Sequence, residues 1–362
     1  MISLSAKGER QIKTRSALLA LFLFWGGIFI LTACTDSPES SGSGLKATRF
    51  SGSTMGTTYN VTLVTQDHQV VDTFDIKRHV GALLLDINQS LSTYIADSEL
   101  MKLNSEPEGL WLPVSTSLFD VLSMSRDISI LSSGAFDVTL GPLVDLWGFG
   151  SGSERHDRLP TDSELAEVQK NIGHQYIEYD QAQRRVLRRI PLRIDLSAIA
   201  KGYGVDRVAQ LLSAQGFKNH LVEIGGELRL TGVSQRGTPW RVAVESPSAG
   251  LSQRAQRAIT LSGLGMATSG DYRNYFEVDG QRYSHTIDPR TLKPITHNLA
   301  SVTVLAPLAA QADGWATAFN VLGVEEALKL ANQEGIAAFF LVKTERGFDE
   351  ITSDAFKSYL GQ

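Results

Sequence analysis

The sequence contains almost no cysteine: Cys34 is the single one in 362 residues. The mature protein therefore has no internal disulfide and no thiolate metal site. There is also no HExxH pair, no GxxxxGK[ST] phosphate loop and no GxGxxG turn, and GSTMG at residues 52–56 has Thr where a nucleophile elbow has Ser. These absences argue against zinc hydrolysis, serine hydrolysis and the familiar phosphate-binding loops.

Basic charge is not in excess either. Residues 1–33 contain four of the 34 Lys and Arg residues and one of the 39 Asp and Glu residues, so the chain from Cys34 onward carries a net charge of about −8. This balance argues against nucleic acid as a partner. The composition, 42% hydrophobic and 20% charged, is that of a globular chain with a substantial core.

The first 33 residues have the pattern of a secretory signal. Four basic residues precede an apolar run over residues 17–30, and LTAC at residues 31–34 is typical of a lipobox, in which Cys34 is the lipidated residue. A transmembrane anchor with an incidental cysteine is the alternative, because about 18 residues nearly span a bilayer. The position of the lone cysteine favours a lipoprotein with a signal peptide over residues 1–33.

The polar stretch TDSPESSGSG follows Cys34 and has the composition of a linker. We predict that residues 34–47 form a lipid-anchored flexible tether and that residues 48–362 form the folded domain. Thr35 and Asp36 favour retention at the inner membrane. The expected location is the periplasmic face of that membrane.

Strand and helix patterns alternate irregularly in the predicted domain. Apolar residues at helical spacing predict helices over residues 76–91, 117–131, 162–171, 198–215 and 310–323. Strands are predicted in segments that begin near residues 59, 177, 184, 220, 227, 240, 258, 274, 281, 300 and 337. Consecutive strands with tight turns indicate an α+β fold with mixed or antiparallel sheets and packed helices.

The segment AQADGWATAFNVLG, residues 310–323, combines core and polar features. Its apolar residues recur at helical spacing, and Asp313 and Thr317 are neighbours one turn apart. Asp313 is either a helix cap, with Thr317 in packing, or a buried carboxylate that needs compensation. Mg²⁺ is a candidate for that compensation, because it prefers hard oxygen ligands.

Other polar segments have similarly open interpretations. IDLSAIAKG, residues 194–202, places Lys201 near a helix start that would suit a phosphate, but Asp195 is equally typical of a cap. SHTIDPRT, residues 284–291, presents His285 before a Pro-restricted turn, as a proton acceptor or a structural histidine. SGAFDVT, residues 133–139, is either a polar site loop or a helix end with Asp137 in a loop.

Together, ordered segments over nearly all of the chain after Cys34 resemble the FAD:protein FMN transferases of the ApbE family. They are STMGTTY, STY, GAFDVT, DLSAIAKGYGVD, VEIGGELRLTG, ATSGDYRNYF, SHTIDPRT and ADGWATAFNVLG. The resemblance implies an ApbE-like, T-fold-like architecture with a flavin cleft. It also implies a periplasmic, Mg²⁺-dependent enzyme that moves the FMN part of FAD to a Thr or Ser hydroxyl and releases AMP.

The resemblance implies roles for individual residues. The flavin-binding positions are Met55, Tyr94, Ala135, Phe136, Asp137, Asp195, Lys201 and Ile287. Metal ligation is implied for Ala198, Asp313 and Thr317, and His285 matches the proposed base. Family members often have Ser or Thr at the position of Ala198, so a ligand there would be its backbone carbonyl.

The implied acceptors are membrane redox subunits, such as those of Na⁺-pumping quinone reductases or Rnf-type complexes. Two other functions remain open. The same site would serve an FAD pyrophosphatase that gives FMN and AMP to water, or a non-catalytic FAD-binding lipoprotein. Attachment of flavin to an acceptor protein distinguishes an FMN transferase from both of these alternatives.

Overall fold

The computed structural model describes residues 44–150, 158–245, 255–270, 275–278 and 281–360. The chain divides into two units, residues 1–40 and 41–362. The predicted signal peptide, Cys34 and the tether up to residue 43 lie outside the described residues. In the part of the chain that is described, no helix is long and apolar enough to cross a membrane.

The largest sheet has eight strands, and each neighbouring pair in it is antiparallel. The strands of the fold, in chain order, are β1 (Leu45–Thr54), β2 (Thr57–Gln66), β3 (Leu112–Pro113), β4 (Ile177–Asp180), β5 (Arg185–Arg188), β6 (Asn219–Ile224), β7 (Glu227–Thr231), β8 (Trp240–Glu245), β9 (Ala255–Leu261), β10 (Leu264–Gly270), β11 (Tyr275–Val278), β12 (Gln281–Ser284), β13 (Ile287–Asp288), β14 (Lys293–Pro294), β15 (Leu299–Ala306), β16 (Ala337–Thr344) and β17 (Gly347–Thr352). The large sheet has the order β1-β2-β6-β7-β10-β15-β16-β17, and the other strands form small sheets.

Seven helices connect these strands within the described residues. They are α1 (Thr73–Leu91), α2 (Glu99–Ser105), α3 (Thr116–Leu131), α4 (Gly141–Leu146), α5 (Asp162–Gln169), α6 (Ala200–Ala214) and α7 (Ala309–Gln333). Several begin at side-chain caps: Ser98 and Ser115 accept backbone N–H groups, and Thr161 forms a capping box with Glu164. Local sequence therefore determines where these helices start.

Side chains of the large sheet pack on both of its faces. Along β16, Ala338, Phe340 and Val342 belong to a core shared with α3 and α7. The alternate residues Phe339 and Leu341 pack instead with the β8–β9 hairpin. Because successive side chains of a strand point to opposite faces, the sheet lies between a helical layer and this hairpin.

The start of α7 is held by close contacts with α6 and β10. The backbone N–H groups of Ala309 and Ala310 each donate to the buried Asp206 carboxylate at 2.9 Å. A Cβ atom on Gly202 would lie 2.4 Å from the Ala309 oxygen, and one on Gly265 would lie 2.3 Å from the Ala309 nitrogen. Glycine at both positions therefore allows the three elements to meet.

The predicted α+β class is confirmed, and some details differ. Strand β1 starts at Leu45, slightly before the predicted domain start at residue 48. Strand β10 was not predicted, because it carries Gly and small residues where α7 approaches it. The short helices α2 and α4 were not predicted either, because a helical spacing of apolar residues can be recognised only over more turns than they contain.

Candidate functional site

A cavity of about 490 Å³ collects residues from distant parts of the chain. Its wall includes residues 135–137, residues 193–201 before and in α6, the end of β10 at residues 268–270, and residues 285–287. Helix α7 completes the wall. All residues that the sequence indicated for the site line this cavity, except Met55.

Helix α7 presents one face with two polar residues to the cavity. Asp313, Thr317 and Val321 line the wall and lie one turn apart from each other. Asp313 is only 6% exposed, and its Oδ2 accepts the Gly202 N–H at 3.1 Å. The helix begins at Ala309, so Asp313 is not its cap. Its carboxylate therefore belongs to the cavity, where burial makes an isolated charge costly.

Three ionisable groups meet beside this face. Lys201 Nζ lies 2.7 Å from Glu227 Oε1 and 3.9 Å from Asp313 Oδ1. Burial raises the pKa of Asp313, and burial together with the Asp313 charge raises the pKa of Glu227. Burial alone would lower the pKa of Lys201, but the two carboxylates raise it overall. Two acids and one ammonium leave negative charge that a proton or a cation would balance.

The oxygen ligands on this wall fit a hard cation whose coordination shell is completed by substrate oxygens. In the described part of the chain, no group of three or more His, Cys, Asp or Glu residues could hold a metal ion. The cavity offers instead the Asp313 carboxylate and the Thr317 hydroxyl, with Ala198 on the same lining. Mg²⁺ accepts such a small oxygen set where phosphates supply further ligands.

The segment with His285 is anchored to α7. Asn320 Nδ2 donates to Thr286 Oγ1 at 3.1 Å, and the Thr286 N–H donates to Ser284 Oγ at 3.1 Å. The His285 and Phe149 rings form a T-shaped pair, with a centroid separation of 6.4 Å. These contacts hold the segment beside α7, and His285 lies on the cavity lining.

The turn after His285 is fixed by a second connection to α7. Arg290 Nη2 pairs with Asp288 Oδ2 at 2.8 Å, and its Nη1 pairs with Glu326 at 2.9 Å. The Asp288 carbonyl accepts the Leu292 N–H at 2.8 Å. The DPRT segment is therefore an ordered turn, as its proline suggested.

Two further aspartates order the loops on the cavity wall. Asp137 accepts the Thr139 N–H at 2.8 Å and the His174 N–H at 3.0 Å. Asp195 accepts the Ser197 N–H at 2.8 Å. Asp195 thus holds its own loop, and Asp137 also joins its loop to the segment at His174, while both residues line the cavity.

Tyr94 and Met55, the two predicted flavin-binding residues nearest the N-terminus, lie in different places relative to the cavity. Tyr94 lies on the cavity lining and is 76% exposed, so its ring is available at the rim. Met55 occupies the turn between β1 and β2 with a φ of 49°, and its side chain packs against α6 near Gly204. The structure therefore does not bring Met55 to the cavity, and its flavin contact stays a prediction.

Several lining residues were not predicted. Glu227, Thr268 and Ser269 line the cavity, as do Arg193 and Asp145, which form an ion pair. Glu227 and the end of β10 fall within the segments GGEL and ATSG that carried the family resemblance. Those segments were a usable signal, but the sequence alone does not show which of their side chains face the ligand.

The fold is that of flavin transferases. "Flavin Transferase ApbE from Vibrio cholerae" matches with a TM-score of 0.79 and 42% identity, over 87% of this chain and 100% of that chain. The flavinyl transferase ApbE of Pseudomonas stutzeri matches with a TM-score of 0.80 and 40% identity, over 88% and 98% of the two chains. The sequence model of the ApbE family matches residues 55–340, and the chain belongs to this family.

Curated relatives agree with the structural comparison. The FAD:protein FMN transferase of Vibrio cholerae is 41% identical over 96% of this chain and 100% of its own length. The enzyme of the same name from Escherichia coli K12 is 37% identical over 96% of this chain and 97% of its own length.

Proposed function

We propose that this chain transfers the FMN part of FAD to a Thr or Ser hydroxyl of a target flavoprotein, in a Mg²⁺-dependent reaction that releases AMP. Flavin transfer follows from membership of the ApbE family, since the curated relatives are FAD:protein FMN transferases. One observation supports the metal-dependent form: the buried Asp313 carboxylate and the Thr317 hydroxyl lie one turn apart on α7 and line the same cavity.

At the FMN phosphorus the reaction forms one bond and breaks one. The acceptor oxygen bonds to the FMN phosphorus, and the bond from that phosphorus to the oxygen it shares with AMP breaks. AMP leaves with the bonding electron pair, and His285 takes the proton of the acceptor hydroxyl. Lys201, in the first turn of α6, binds a phosphate oxygen.

Asp313, Thr317 and the Ala198 carbonyl would hold the magnesium ion. When bound, Mg²⁺ offsets the negative charge of the diphosphate and of the leaving AMP. The buried carboxylate suits this role because water competes little for it. Asn320 keeps His285 in place through Thr286 while the acceptor hydroxyl approaches.

A transferase assay separates this function from the two alternatives. We expect the chain, incubated with FAD, Mg²⁺ and a purified candidate redox subunit, to give flavin fluorescence on the subunit in a denaturing gel, with one AMP per flavin attached. Removal of Mg²⁺ with EDTA should stop both products. Release of FMN and AMP without a labelled subunit would instead indicate an FAD pyrophosphatase. Tight FAD retention without AMP would indicate a binding lipoprotein.

We also propose a lipid anchor on Cys34 and a location on the periplasmic face of the inner membrane, where membrane redox subunits would be the acceptors. The proposal rests on the lipobox sequence LTAC. We expect a Cys34→Ser variant to lose metabolic labelling with palmitate, which the parent chain incorporates. Equal labelling of both chains would contradict the anchor.

A further inference from the structure

We propose that Glu227 is a positioning residue, which holds the Lys201 ammonium away from Asp313 and so keeps the Asp313 carboxylate open for the magnesium ion. The inference rests on the proposed magnesium-dependent function and extends it to a residue outside the predicted site.

The geometry of the three side chains carries the inference. Lys201 Nζ lies 2.7 Å from Glu227 Oε1, within hydrogen-bond distance, but 3.9 Å from Asp313 Oδ1. The other Asp313 oxygen, Oδ2, already accepts the Gly202 N–H at 3.1 Å. Oδ1 is therefore the oxygen for which a bound cation and the ammonium would compete.

Glu227 is placed for this contact by a tight turn. Gly225 and Gly226 have φ values of 61° and 108°, a conformation that glycine adopts readily, and they turn the chain from β6 into β7. A Cβ atom on Gly225 would lie 3.3 Å from Lys201 Cδ, so the turn also packs along the lysine stem. The ammonium is thereby directed to the glutamate.

A purely structural ion pair does not account for the burial of this glutamate. Glu227 is only 4% exposed, and its Oε2 is buried without a hydrogen-bond partner among the described residues. A buried carboxylate with an unpaired oxygen is costly, and an apolar residue of similar volume is often at least as stabilising. The carboxylate therefore has a function beyond the stability of the fold, which its place on the cavity lining supplies.

The test measures Mn²⁺ binding, with ADP as an unreactive diphosphate at a concentration that saturates each variant. Free Mn²⁺ is followed by its electron paramagnetic resonance signal. In Glu227→Gln the ammonium loses its anionic partner and turns to Asp313, so we expect about tenfold weaker Mn²⁺ binding. Glu227→Asp keeps the charge and should restore most of the affinity. Glu334→Gln, an exposed change of the same chemistry, should leave it unchanged.

A double variant separates positioning from a local packing defect. Removing the competing ammonium in Lys201→Met/Glu227→Gln should return Mn²⁺ affinity to within about threefold of the parent chain. Equal Mn²⁺ binding by the parent chain and Glu227→Gln would overturn this inference but not the proposed magnesium site. A double variant that binds Mn²⁺ as weakly as Glu227→Gln would do the same. A parent chain that binds no Mn²⁺ would overturn the proposed magnesium site and this inference with it.

Discussion

Replacing Asp313 with Asn is expected to reduce FMN transfer by at least about a thousandfold, because it removes the one carboxylate that α7 offers to the metal ion. The amide has the same shape, and its oxygen still accepts the Gly202 N–H. The loss should therefore appear without unfolding. The measurement is the rate of flavin attachment to the acceptor under single-turnover conditions, together with the thermal midpoint by circular dichroism.

Asp349→Asn is the matched control for this variant, since Asp349 is exposed on β17, away from the cavity lining. The same change there should leave the transfer rate within about twofold. Magnesium-dependent transfer by Asp313→Asn at the parent rate would remove Asp313 from the metal site. A large fall in the thermal midpoint of Asp313→Asn would instead indicate that Asp313 stabilises the fold.

The second large effect is expected at His285. In His285→Ala the acceptor hydroxyl loses the group that takes its proton, so single-turnover transfer should fall by about a hundredfold to ten-thousandfold. FAD binding, followed by quenching of flavin fluorescence, should change little, because His285 is one of many residues on the lining. The two measurements together separate proton transfer from substrate binding.

His68→Ala serves as the control, because His68 is exposed in the loop after β2. It should behave as the parent chain in both measurements. An unchanged single-turnover rate in His285→Ala would exclude His285 as the base. The group that accepts the proton would then have to belong to another lining residue or to the substrate.

Local patterns predicted much of the fold because they report local physics. The apolar spacing from Ile76 to Leu91 predicted α1, and the alternation from Tyr59 to Val64 predicted β2. Strand β10 lacked such a signal, since Gly265 is needed for contact with α7 and weakens the strand pattern. That requirement is tertiary and cannot be read from a short segment.

The sequence also predicted part of the site. The sequence left Asp313 open between a cap and a cavity group, and the structure decides between them by where α7 begins. At Gly314 a Cβ atom would lie 2.5 Å from Ile128 Cδ1, so a larger residue there would require this buried side chain to move. Glu227 could not be predicted, because its significance lies in its distance from Lys201, which is 26 residues earlier in the chain.

The contacts at the start of α7 have a thermodynamic consequence for ligand binding. Asp206 and the two glycines that meet Ala309 fix the first turn of the helix, and Gly323 interrupts the helix with a φ of 73°. The segment with Asp313 and Thr317 is therefore ordered by folding and not by its ligand. FAD and a metal ion would lose translational freedom on binding, but this segment of α7 would lose little conformational entropy because it is already ordered.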